Sequence, residues 1–201
     1  MAAGGAAYHP QLRSVHRLRN PHDRPAAAAD RAGQGVLNVN ILVLGIGNIL
    51  LEDEGIGVHV IERLQARHDL PANVVALDGG TSGMTLLDDL AACEHLLVVD
   101  CGRLDLPPGS VREFFGDAVP AFFQQRISPH QIGLSDLLAA AALIDALPAG
   151  LSLIAIEPES IELGTQMTAT GERACELALE RVLKRLAALG APALPRHSEV
   201  A

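Results

Sequence analysis

The stretch "NILVLGIGNILLEDEGIGVHVIERLQARH", residues 40–68, decides the fold. It opens on a short aliphatic run at 40–45, of the kind that forms a strand buried on both faces. A glycine-marked turn follows, and then Val58, Ile61, Leu64 and Gln65 recur at helical spacing. Strand, turn and helix in that order make the first unit of an α/β fold. The turn also poses a chemical question. Glycine-rich turns after a first strand often cradle phosphate, yet Glu52, Asp53 and Glu54 stand where the anion would sit. The dinucleotide motif G-x-G-x-x-G further needs a third glycine for close helix–strand packing, and Leu50 occupies that place. Both features argue against nucleotide binding. Glu52 and Asp53 read as members of a solvated turn.

The alternation continues along the chain. "VVALDGG" (74–80), "HLLVVD" (95–100) and "LSLIAIEP" (151–158) read as further strands, and "SVREFF" (110–115) as an edge strand or part of a hairpin. "MTLLDDLAA" (84–92), "SPHQIGLSDLLAAAALI" (128–144) and "GERACELALERVLKRLAALG" (171–190) read as helices. Ser128 is a good N-cap, Pro129 suits the first helical position, and Gln131 completes a capping box. In the last helix Leu179, Val182, Leu183 and Leu186 share a face, Gly190 is the stop, and Thr170 is the expected cap. The fold class is therefore α/β: one domain at 39–190, with a mostly parallel twisted sheet covered by helices on both faces. Residues 191–201 are expected to be irregular.

Residues 1–38 carry five Arg against two Asp and almost no apolar periodicity, so this segment is expected to be a disordered extension. It lacks the apolar middle of a secretory signal. Initiation at or near Val36 would give a chain starting just before the first strand, which N-terminal sequencing of the native protein would test. The rest of the chain has twenty-two acidic residues against ten basic ones. Such a body repels nucleic acid and anionic membrane, and no apolar run approaches the roughly 20 residues a membrane helix needs. Cys93, Cys101 and Cys175 are odd in number and lack Cys-x-x-Cys spacing, which suits a reducing cytoplasmic setting.

Ligands of an open parallel sheet bind beyond the carboxyl ends of its strands. Glu54, Asp78, Asp100, Glu157 and Glu159 fall at such ends. Gathering carboxylates there is costly unless a cation compensates, so the glycine loop reads as a metal site rather than a phosphate site. His130, placed by the capping box in the first turn of its helix, is held toward neutral imidazole by the helix dipole, and neutral imidazole is the form that ligates metal. His59, His68 and His95 are most simply structural or exposed. Two carboxylates and one imidazole make an O,O,N site suited to a divalent ion such as Zn or Ni. The sequence contains no G-x-S-x-G elbow, H-E-x-x-H pair or Walker loop.

The blocks "ILVLGIGNILLEDEGIGVHVIERL", "LDGGTSGMTLLDDL", "HLLVVD" and "SPHQIGLSDLL", with "IEPESIELGTQMT" (156–168), resemble the maturation endopeptidases of nickel–iron hydrogenases. The likeness runs from about residue 40 to about 190. It implies a cytoplasmic enzyme that removes a C-terminal extension from the hydrogenase large-subunit precursor once nickel is in place. It also implies that Glu54, Asp100 and His130 contact the metal, with nickel supplied by the precursor and other divalent ions such as Zn and Cd able to occupy the site. Asp78, in "DGGT", matches a further acidic motif position of the family. Two mechanisms remain open: the ion polarises the scissile carbonyl or a water, or nickel only positions the peptide and Asp78 is the general base. A non-catalytic nickel chaperone and a nucleotide-binding oxidoreductase module are the competing classes.

Overall fold

The computed structural model describes residues 40–124 and 129–196, with side chains described outside 124–133. The expected disorder of 1–38 and the Ser128 cap lie outside the described residues. In chain order the elements are β1 (Ile41–Ile46), α1 (Ile56–Arg67), β2 (His68–Asp69), β3 (Val74–Gly80), α2 (Leu87–Ala92), β4 (His95–Cys101) and β5 (Val111–Phe115). Then come α3 (Ala118–Gln124), α4 (Pro129–Leu143), β6 (Gly150–Ile156), α5 (Ala169–Ala188) and β7 (Leu194–Pro195). Single 3₁₀ turns at Glu52–Gly55 and Met84–Leu86 lead into α1 and α2.

The main sheet has the order β3-β1-β4-β6-β5. β1 pairs in parallel with β3 and β4, and β4 with β6, while β5 closes one edge antiparallel to β6. "SVREFF" is thus an edge strand. Side chains alternate across the sheet with the strand period of two. Ile41, Val43, Leu97, Val99, Ile154 and Ile156 pack into one core with α1 and α5. Leu42, Leu44, Leu96, Val98, Leu153 and Ala155 pack into the other with residues of α2, α3 and α4. Covering both faces explains why these strands read as unbroken aliphatic runs.

Helical spacing in α1 buries Val58, Ile61 and Leu64, and Gln65 donates its Nε2 to the Ala76 carbonyl at 2.8 Å. Three local expectations are corrected and one helix is added. The first helix, expected over "GVHVIERLQARH" (57–68), ends at Arg67, because His68–Asp69 pairs antiparallel with Leu194–Pro195. The tail after 190, expected to be irregular, therefore carries a short strand; Arg196 reinforces it by donating Nε to Asp69 Oδ1 at 2.9 Å. α3 was not legible, since Pro120 interrupts its pattern, although proline is tolerated in a first turn. The cap of α5 is Thr168 rather than Thr170: its hydroxyl accepts from Gly171 N at 2.9 Å. Gly190, at φ +78°, does stop the helix.

The first turn of α1 is pressed onto the carboxyl ends of β1 and β4. A Cβ on Gly57 would lie 2.2 Å from Ile46 O and 2.4 Å from Val99 O. The close approach that a dinucleotide motif assigns to its third glycine is made here by Gly57. No helix among the described residues is long and apolar enough to cross a membrane.

Candidate active site at the carboxyl edge of the sheet

The loop after β1 folds inward on its own backbone. Gly47, at φ +143°, has no room for a side chain, since a Cβ would meet Glu54 O at 1.9 Å. Gly47 N donates to Gly80 O at 2.9 Å, which ties this loop to the end of β3. Asn48 then organises the turn, its Oδ1 accepting from Leu50 N and its carbonyl from Leu51 N, both at 3.0 Å. The product is a 3₁₀ turn that carries Glu52, Asp53 and Glu54 against β4.

Glu54 is 7% exposed. Burial pushes its carboxyl above the usual range, and a backbone hydrogen bond from Asn48 partly offsets the rise. Asp100 is 0% exposed, in register with Ala155 of β6. It follows Leu96 and Val98 on the alternating face that α4 covers. Burial, and then the negative field of Asp100, Glu54, Asp53 and Glu157, push the Cys101 thiol well up. A single thiol that feels all four carboxylates marks the convergence of negative charge at this edge.

His130 lies in the first turn of α4, and its side chain lies outside the described residues. Among the described residues no three His, Cys, Asp or Glu side chains form a metal cluster. Asp78 is more distant. Gly45 stands in register with Asp78 on one side and Val99 on the other, so two strand spacings, about 10 Å, separate Asp78 from Asp100. Asp78 is exposed and its Oδ1 accepts from Gly80 N at 2.8 Å.

The solvated reading fails for Asp53. This side chain is 0% exposed and accepts four hydrogen bonds: from Glu159 N (3.0 Å), Ser160 N (3.3 Å), Thr168 N (2.8 Å) and Thr168 Oγ1 (2.8 Å). Glu52 is half-buried at φ +44°, and its N–H donates to Gly164 O at 2.9 Å. Glu157 was also missed as an anchor; its Oε2 accepts from Leu104 N and, at 3.3 Å, from Leu106 N, clamping the segment that leaves Asp100. The three cysteines are buried thiols outside any disulfide, with Cys93 pushed up to about 11 and Cys175 to about 12 by desolvation, so these thiols are inert packing groups.

Fold and site together define an α/β protein whose parallel sheet presents buried carboxylates at its carboxyl edge. Residues 58–185 match the family model HycI, hydrogenase maturation protease. The Hydrogenase 2 maturation protease of Escherichia coli (strain K12) is 45% identical over 161 residues, spanning 80% of this chain and 98% of that one. Among solved structures, the hydrogenase maturating endopeptidase HybD from E. coli superposes with a TM-score of 0.75 at 46% identity, covering 78% of this chain and 98% of that chain. The [NiFe] hydrogenase maturation protease HybD from Thermococcus kodakarensis matches with a TM-score of 0.62 at 26% identity, over 73% and 98% of the two chains. The chain belongs to the hydrogenase maturation protease family and is an endopeptidase.

Proposed function

We propose that this endopeptidase removes the C-terminal extension of the nickel-loaded large-subunit precursor of a [NiFe] hydrogenase, in the cytoplasm, and recognises that substrate through its nickel. Glu54, Asp100 and His130 are the metal-contacting residues, and the nickel is part of the substrate. The observation that carries this reading is the burial of Glu54 and Asp100 at the carboxyl edge of the sheet. The donor chemistry fits: two carboxylates and an imidazole suit a borderline divalent ion and leave positions for the precursor's own ligands. Cadmium or zinc added to the free protein would compete for the same donors.

A bound divalent ion supplies Lewis acidity toward the scissile carbonyl. The chain's own groups do the rest. The buried acids hold the ion at the edge, and Asp78, across β1, acts as general base toward the attacking water. Its exposed carboxyl, oriented by the Gly80 N–H, is open to water and substrate. The deciding experiment is the size of purified precursor on a gel after incubation with the full-length protein. Shortening of nickel-loaded but not nickel-free precursor is expected. Cleavage regardless of nickel would overturn recognition through the metal, and no shortening of either would favour a carrier role.

A further inference from the structure

We propose that Asp53 is the positioning residue of this site: it locks the loop bearing Glu54 to the amino end of α5 and so fixes where Glu54 meets the substrate's metal ion. The inference rests on the reading of Glu54 as a metal-contacting residue and extends it to a group that touches neither metal nor peptide.

All four hydrogen bonds to the Asp53 carboxylate come from one distant segment, 159–168. The backbone is laced to that segment as well. Asp53 N donates to Ser160 O at 3.2 Å, Glu52 N to Gly164 O at 2.9 Å, and Gly164 N to Leu50 O at 2.9 Å. Thr168 is the hub: its Oγ1 donates to Asp53 Oδ2 and accepts from Gly171 N at the start of the 20-residue helix α5. A carboxylate at that end is favoured by the helix dipole. Gly171 makes the seat, since a Cβ there would lie 2.0 Å from Asp53 Oδ1.

The seat demands a carboxylate of this length. Oδ2 accepts three of the bonds and Oδ1 the fourth, so an amide would turn an N–H toward an N–H on one side. A glutamate would drive an extra methylene into the space above Gly171. A buried charge is an expensive tether where apolar packing would serve, and this one stands one residue before Glu54 in the same 3₁₀ turn. Partners behind a metal ligand commonly set its orientation, and their loss weakens metal binding about ten- to a hundredfold.

The test uses the full-length chain as wild type, Asp53→Asn, Gly171→Ala, Glu54→Gln and the two doubles that combine Glu54→Gln with each. Cd²⁺ alone is titrated calorimetrically, single-turnover cleavage of nickel-loaded precursor is followed, and circular dichroism reports folding. Asp53→Asn and Gly171→Ala are each expected to weaken Cd²⁺ binding and slow cleavage by about tenfold or more. Each double is expected to lose no more than Glu54→Gln alone, because Asp53 acts only through Glu54. Wild-type behaviour of both single variants, or additive losses in the doubles, would overturn the proposal. Should Asp53→Asn fail to fold, Gly171→Ala carries the comparison, since it keeps every hydrogen-bonding atom. If Glu54→Gln itself changes neither Cd²⁺ binding nor cleavage, the parent reading fails and takes this one with it.

Discussion

β4 buries an ionisable side chain at each end, and the surroundings differ. At its amino end His95, 7% exposed, shares a hydrogen bond of 2.9 Å with Ser152 Oγ, which also accepts from Arg185 Nε at 3.1 Å. Burial, helped by the Arg185 charge, holds the imidazole below its usual range and therefore neutral. At its carboxyl end Asp100 is buried against the turn that carries Asp53 and Glu54, and these acids with Glu157 make the potential at Cys101 more negative, which pushes its thiol up. One end completes a polar pairing within the fold. The other gathers charge of one sign, which costs folding energy and suits the arrival of a cation. The polar pairing at the amino end serves stability, and the proposed site lies at the carboxyl end, where ligands of open parallel sheets bind.

The sharpest way to break this contrast is to neutralise the acids without changing their shape. Glu54→Gln and Asp100→Asn are each expected to slow cleavage of nickel-loaded precursor by at least about a hundredfold. Chemical denaturation should find the Asp100→Asn protein no less stable than wild type, since the substitution removes the desolvation cost of a fully buried charge. A destabilised Asp100→Asn protein that still cleaves would place Asp100 among the structural residues. Next in size, Asp78→Asn should slow single-turnover cleavage about a hundredfold if Asp78 is the general base, with unchanged precursor binding. Unchanged cleavage would leave polarisation by the ion as the mechanism.

At the other end the same logic gives an effect on stability alone. Ser152→Ala removes the partner of both His95 and Arg185, and denaturant unfolding should show a loss of about 1–3 kcal/mol with cleavage intact. The smallest effect is on pH dependence. Because folding lowers the His95 pKa, the unfolded chain binds more protons in the interval just below the ordinary imidazole value of 6.5. The His95 contribution is full above that value and declines as pH falls beneath it. His95→Gln should flatten that part of the stability profile, and an unchanged slope would assign it to other groups.

The parts of the molecule legible in the sequence are those whose signal is local. β1, β3, β4 and β6 announce themselves because burial on both faces makes each an uninterrupted aliphatic run, and an acid ending such a run is visible at once, as Asp100 shows. Asp53 was misread for the opposite reason. Its partners, Glu159, Ser160 and Thr168, lie more than a hundred residues away, and without them a carboxylate between two glutamates looks like any exposed turn. The same distance hides the pairing of His68–Asp69 with Leu194–Pro195, which ends α1 early. Thr168 and Thr170 carry the same hydroxyl two positions apart, and the fold uses the first, which accepts from Gly171 N and donates to Asp53.

The most direct test of a shared substrate-metal site is a crystal structure of the full-length protein grown with Ni²⁺ and phased on its anomalous signal. The expected result is a single ion within about 2.0–2.2 Å of a Glu54 oxygen, an Asp100 oxygen and a nitrogen of His130. An ion bound to other acids, or side chains at 54, 100 and 130 directed to separate places, would contradict it.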